Sequence, residues 1–126
     1  LNYEKETPMN NITIVGRVGR DPEIKFSGNG MAIANFSVAT DHGRDDKKKT
    51  TWHNVVVFDK LAENVAESLH KGARVIVAGR LEISEYDSKD GEKKKKTELI
   101  ADAVGLELRF EPVKSVFVAE DPEEAF

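Results

Sequence analysis

Trp52, Phe58 and Tyr86 are rings on strand-like segments where flat side chains can serve as a binding surface. In "TTWHNVVVF", residues 50–58, successive side chains of an extended chain point to opposite faces. Trp52, Asn54, Val56 and Phe58 therefore share one face, and His53, Val55 and Val57 the other. In "RVIVAGRLEISEY", residues 74–86, Tyr86 shares its parity with Ile76, Arg80, Glu82 and Ser84, so its ring stands among mostly polar neighbours. A ring on a wet sheet face suits a flat, unpaired base; stacking contributes about 1–3 kcal/mol per base and tolerates any sequence. Aromatic side chains also fill cores and subunit interfaces. Both readings fit the parity; Asn54 and Arg80, polar members of the two faces, favour stacking.

Cations are the second requirement of such a surface. Lys47, Lys48 and Lys49 close the charged segment "DHGRDDKKK", and Lys93, Lys94, Lys95 and Lys96 follow an Asp-Gly turn signal; both runs read as loops. Arg17, Arg20, Arg44, Lys60, Lys71, Arg74 and Arg80 are scattered through the body. Cationic loops overhanging an aromatic sheet would follow a phosphate backbone. Acids beside both lysine runs equally fit an ordinary solvated surface.

Little else in the chain points to chemistry. His42 reads as a loop residue, His53 lies on the core-side parity, and His70 sits at a helix end, where a cation is favoured. None has a metal-ligand spacing or a carboxylate partner motif. No nucleophile motif or phosphate-cradling glycine loop is present, and the absence of cysteine removes disulfides and thiolate sites. The chain reads as non-enzymatic, with no cofactor and no metal. Asp45 and Asp46 are the acids that a nuclease on the same scaffold would use, but neighbours in a loop do not make a site.

The elements that must hold these side chains are short and β-branched. "NITIVGRV", "PEIKF", "MAIANFSVAT", "TWHNVVVF", "RVIVAGRLEISEY" and "KTELIADAV" read as strands. Between the fourth and fifth the period changes. In "DKLAENVAESLHKG", Leu61, Val65 and Leu69 are four apart, which predicts one amphipathic helix with Asp59 as N-cap and Gly72 at its end. Strands around a single helix predict an all-β fold with one helix, a five-stranded barrel of the OB type. "LELRFEPVKSVFV", residues 106–118, would add a C-terminal strand beyond it.

Length and charge set the frame. The 126 residues suffice for one core, with 39% hydrophobic and 33% charged residues. The net charge of −4 is uneven: residues 9–110 hold 17 basic and 16 acidic residues, while residues 111–126 hold one lysine and five acids. We therefore expect a flexible lead over 1–8, a binding domain over 9–110 and a short acidic tail over 111–126. In that tail Asp121, Glu123 and Glu124 precede Phe126, whose ring and carboxylate suit a partner with a hydrophobic pocket and a basic rim. The first residues show no secretory pattern and no segment is apolar enough to span a bilayer, so a cytoplasmic protein without membrane contact is expected.

"NNITIVGRVGRDPEIKF", "NGMAIANFSVAT", "TWHNVVVFDKLAENVAESLHKGARVIVAGRL" and the acidic, Phe-ended tail resemble the bacterial single-stranded-DNA-binding protein family, and the helical stretch resembles its actinobacterial members. The resemblance implies an OB barrel, a homotetramer that wraps single-stranded DNA in replication, recombination and repair, and recruitment of replication and repair proteins through the tail. It places the family's stacking rings on Trp52, Phe58 and Tyr86, its phosphate-contacting lysines on Lys60 and Lys71, and a subunit contact near His53. A further family tryptophan has no counterpart in "ATDHGRDD", where His42 and Gly43 stand nearest. Ala125 replaces the usual penultimate proline, and the linker before the tip is short. In actinobacterial-like members an extension resembling residues 106–118 clamps neighbouring subunits. An OB module that binds protein instead of nucleic acid is the competing reading.

Overall fold

The computed structural model describes residues 10–113. Six strands and one helix follow in order: β1 (Ile12–Val18), β2 (Glu23–Phe26), β3 (Ala32–His42), β4 (Lys49–Phe58), α1 (Asp59–Ser68), β5 (Arg74–Asp87) and β6 (Lys93–Leu106), with a 3-10 turn over Asp45–Lys47. The strands form one sheet in the order β1-β5-β6-β4-β3-β2, and β1 also pairs with β3. Five strands thus close a ring, β1-β5-β6-β4-β3, with β2 appended to the outer edge of β3. This is the OB-type barrel that the strand pattern predicts.

Closure depends on a backbone crossing. β1, still paired with β5 at Arg17↔Arg74, also meets β3 at Arg17↔Ala39 and Val18↔Val38. A Cβ added to Gly16 would strike the carbonyl of Ala39, so only glycine lets the two backbones approach there.

The core follows from alternation. Val18, Val38, Val55, Val57, Val75, Val77 and Leu99 are the largest fully buried side chains, drawn from all five strands of the ring. Of the apolar stripe expected of the helix, Val65 and Leu69 are buried with them and Leu61 packs partly buried against them, while Ala62 beside the stripe is fully buried. Each fully buried valine or leucine contributes roughly 1.5–3 kcal/mol over leaving it in water.

The helix departs from expectation at both ends. It stops at Ser68, with Leu69 as C-cap, because the chain is needed elsewhere: the Gly72 N–H donates to the Val18 carbonyl at 2.8 Å, and the Lys71 N–H donates to Asp21 Oδ1 at 2.8 Å. Gly72, with φ of +90°, turns the chain after the helix instead of ending it. Asp59 is not the N-cap. Phe58 occupies that place, no side-chain capping bond forms, and Asp59 itself has φ of +57°.

Two loops are shorter than their composition suggests. β3 runs through His42 and β4 starts at Lys49, so both residues pair across the ladder instead of lying in a loop. Lys93–Lys96 also belong to a strand: β5 and β6 pair from Val75↔Leu106 to Asp87↔Lys93, forming a hairpin that outgrows the barrel. Asn10 anchors its base by accepting from the Leu81 N–H at 2.8 Å. Beyond that point there is no interior to face, and Ile83, on the parity of Val75 and Val77, is 66% exposed. The expected strand over 106–118 is not formed in the part described. β6 ends at Leu106, residues 107–113 pair with no strand, and 114–118 lie outside the described residues. The acidic tip with Asp121, Glu123, Glu124 and Phe126 also lies outside them.

Candidate nucleic-acid interface

Register decides which side chains meet on the outside of the barrel. Opposed residues of an antiparallel pair share a face, and Val56 lies beside Ile100 where β4 and β6 run parallel. Phe58, Val56, Asn54 and Trp52 of β4 therefore share their face with Ile33, Asn35 and Ser37 of β3 and with Ile100, Glu98, Lys96 and Lys94 of β6. On β5 the same face carries Arg80, Glu82, Ser84 and Tyr86, opposite those four residues of β6. All three rings thus stand on one outer surface. Trp52 is 56% exposed, Tyr86 48% and Phe58 37%.

The rings are not equivalent. Trp52 and Tyr86 line one trough of about 800 Å³, together with Asn54, Ser84, Lys95, Lys96, Thr97 and Glu98. Phe58 lies at the far end of β4, outside that trough. A second, smaller hollow of about 190 Å³ continues the surface from Asn54, Lys96 and Glu98 toward Arg20, Asn35 and Ser37. The Trp52 ring rests against the chain after β1, where a Cβ on Gly19 would collide with it.

The candidate cations are distributed around this face, and Lys48, Lys60 and Arg80 among them are engaged in ion pairs. Lys48 Nζ lies 3.6 Å from Asp41 Oδ2, and Lys47 sits in the exposed 3-10 turn. Asp41 is the hub of that corner. It accepts from Thr50 Oγ1 at 2.6 Å and from Arg17 at 3.4 Å. The Thr50 hydrogen bond, with Lys48 and Arg17 beside it, holds the Asp41 carboxyl below the usual aspartate range. Lys60, on the first turn of α1, lies 3.5 Å from Glu63. Lys71 is tied through its backbone to Asp21, whose carboxylate is also 3.9 Å from His70 Nδ1. Arg80 is on the ring-bearing face but 3.2 Å from Glu82. None of Lys47, Lys48, Lys49, Lys60, Lys71 or Arg80 lines the Trp52–Tyr86 trough.

Lys95 and Lys96 do line it; sequence reasoning counted both among its cations but placed them in a loop over the sheet, whereas they stand on β6. The signal was present: "KTELI" continues the alternation backwards, placing Lys96 on the parity of Glu98 and Ile100. His53 turns inward and its Nε2 is 2.9 Å from Thr40 Oγ1, a structural bond between β3 and β4. Asp45 and Asp46 are exposed in the 3-10 turn, and among the described residues no three His, Asp or Glu side chains gather as metal ligands.

Barrel, appended strand and open face together define an OB-fold protein that presents aromatic rings and lysines on the outside of its sheet. A family model described as the single-strand binding protein family matches residues 9–107. The chain belongs to that family. A protein of Paenarthrobacter aurescens named single-stranded DNA-binding protein is 41% identical over 110 residues, 82% of this chain and 64% of that one. Proteins of the same name are 43% identical in Corynebacterium glutamicum, over 79% of this chain and 48% of that one, and 40% identical in Mycobacterium tuberculosis, over 82% and 67%. The chain spans about half to two thirds of the length of these curated relatives.

Proposed function

We propose that the chain binds single-stranded DNA without sequence preference and without catalysis, as one subunit of a homotetramer acting in replication, recombination and repair. The observation that carries this reading is the pair of half-exposed rings, Trp52 and Tyr86, on opposite sides of a trough that Lys95 and Lys96 enter. Rings of this kind stack on successive bases whatever their identity, while the ammonium groups draw in the phosphates. Phe58 extends the stacking surface along β4, and Lys47, Lys48, Lys49, Lys60, Lys71 and Arg80 supply further phosphate contacts around it.

Assembly is supported by apolar surface left open on another part of the barrel. Val15 and Ile76 are direct cross-strand partners, both exposed on the outside of β1 and β5. The acidic tail with Asp121, Glu123, Glu124 and Phe126 recruits replication and repair proteins, a reading supported by its charge and by the apolar ring of Phe126 beside its acids. Among the described residues no helix is long and apolar enough to cross a membrane, and we place the protein in the cytoplasm with the nucleoid.

The test is a titration with oligo-dT of graded length at two salt concentrations, read by the fluorescence of Trp52, the single tryptophan. Quenching that weakens with salt is expected. Fluorescence indifferent to DNA and an unchanged gel mobility would defeat the reading and favour a protein partner for this face.

A further inference from the structure

We propose that Glu82 and Glu98 are built-in competitors of the nucleic-acid phosphate: they hold Arg80 and Lys96 in ion pairs that DNA must open, and so lower the affinity and flatten the salt response of this face. The inference rests on the single-strand binding reading given above.

The geometry is a diagonal of charges across one strand pair. Glu82 of β5 stands directly opposite Glu98 of β6. Like charges in that position repel. Relief comes from both sides. Arg80 precedes Glu82 on β5, and its Nε and Nη2 both lie 3.2 Å from Glu82 Oε1. Lys96, opposite Ser84, places its Nζ 3.4 Å from Glu98 Oε2. The four side chains share the face that carries Trp52, Phe58 and Tyr86. Lys96 and Glu98 line the trough itself.

A phosphate entering this trough meets a lysine already facing an anion. The carboxylate of Glu98 is the more sheltered member of its pair, and the Lys96 ammonium extends beyond it into solvent. Carboxylate and phosphate oxygens accept from the same cation in the same way, so binding exchanges one ion pair for another. It also leaves a carboxylate beside a polyanion. A cation that stays on its glutamate neutralises no phosphate and releases no counterion. The same arrangement recurs at Lys48 with Asp41 and at Lys60 with Glu63. Glu98 differs in lining the trough that holds two of the rings, and Glu82 in standing opposite it on the same face.

The experiment compares the full chain with E82Q, E98Q and the double variant by Trp52 quenching with oligo-dT over a salt series. E67Q serves as the control, because Glu67 is exposed on α1 with no ion pair among the described residues, yet its loss changes the net charge equally. Each glutamine at 82 or 98 is expected to tighten binding roughly threefold near physiological salt, the worth of one exposed ion pair. Each also steepens the log–log salt slope by up to about 0.7, the release expected for one more neutralised phosphate on a single strand. E67Q leaves the slope unchanged. If E82Q and E98Q follow E67Q, or bind more weakly than the unaltered chain, the inference falls while the binding reading stands. If the unaltered chain itself fails to bind oligo-dT, both fall.

Discussion

The Trp52 ring occupies the space that a side chain on Gly19 would fill. A Cβ there would collide with the ring and come within 2.9 Å of Ser37 Oγ. Trp52 is fixed at its backbone by pairing with Ala39, so the ring's direction depends on what lies beneath it. Gly19→Ala should tip the indole off its seat without opening the core, since the ring is already half in solvent. The expected outcome is a changed Trp52 emission and oligo-dT affinity reduced by about 1 kcal/mol, part of the value of one stacked base, with an unchanged melting temperature. Affinity equal to that of the unaltered chain would show that the ring's seat does not matter.

The three rings should contribute unequally. Trp52 and Tyr86 share the trough with Lys95 and Lys96, whereas Phe58 stands apart at the other end of β4. Replacing Trp52 or Tyr86 by alanine should each weaken oligo-dT binding by about 1–3 kcal/mol. Phe58→Ala should cost less on short oligonucleotides and approach the others only on longer ones that reach the end of β4. Because the Trp52 variant lacks the reporter, a mobility assay compares the series. Equal losses at all lengths would contradict the division of the face.

Asp41 makes the corner between β3 and β4 sensitive to acid. Its carboxyl is held low by the Thr50 hydroxyl first, then by Lys48 and Arg17. A carboxyl lowered on folding stabilises the fold at pH above its unfolded value, and that contribution disappears as pH falls through the lowered value. The corner should therefore keep its bonds at pH 5 and lose them only below the usual aspartate range. Carboxyl-carbon NMR should show Asp41 titrating there, and Thr50→Val should move its midpoint up. An Asp41 midpoint unaffected by Thr50→Val would remove the hydroxyl as the cause.

How much of this was legible in the chain depends on how locally each feature is encoded. The alternation of "TWHNVVVF" suffices to place Trp52 and Phe58 on one outer face, because parity in a strand is fixed by the backbone. The core valines follow for the same reason, and the stripe of Leu61, Val65 and Leu69 follows from the helical period. Of the lysine run at 93–96, only Lys96 was legible as strand, from the alternation of "KTELI". Lysine has little preference for a strand, and its pairing is imposed by the opposite arm of the hairpin, Ser84 to Asp87. The helix end was misplaced because Gly72 signals a C-cap locally, while Asp21 and Val18, remote in sequence, claim the backbone of Lys71 and Gly72 first. The seat of Trp52 on Gly19 and the opposition of Glu82 to Glu98 depend wholly on tertiary register. Nothing near those residues announces them.

The barrel should be sensitive at Leu99, which is 1% exposed where β6 lies between β4 and β5. It is opposite Leu81 on one side and beside Val55 on the other. Leu99→Ala leaves a void that the surrounding strands cannot close without breaking their ladders. A loss of about 2–5 kcal/mol is expected, against a small loss for Ile83→Ala, whose side chain lies on the open part of the hairpin. Chemical denaturation with an unchanged m-value would measure both, and a Leu99→Ala loss below 1 kcal/mol would mean the site is not core.

After β6 the chain is held by charge instead of by a strand ladder. The Glu107 N–H donates to the Arg74 carbonyl at 2.9 Å, and its carboxylate meets Arg109 Nε at 2.8 Å and Arg74 Nε at 3.5 Å. Partial burial pushes the Glu107 carboxyl up, but the Arg109 N–H and the charges of Arg109 and Arg74 outweigh it and hold it below its usual range. The same two guanidinium groups lie 4.7 Å from the centre of the Phe110 ring, one from Arg74 and one from Arg109. Phe110→Ala removes both contacts, at about 0.5–1 kcal/mol each for exposed sites. It should speed amide exchange at Glu107 and Arg109 while leaving β6 protected. Glu107→Gln should do the same at neutral pH, and for the unaltered chain the effect should appear only in acid, as pH falls through the lowered Glu107 value. Unchanged exchange at Glu107 and Arg109 in both variants would show that this segment is fixed by something other than the carboxylate and the ring.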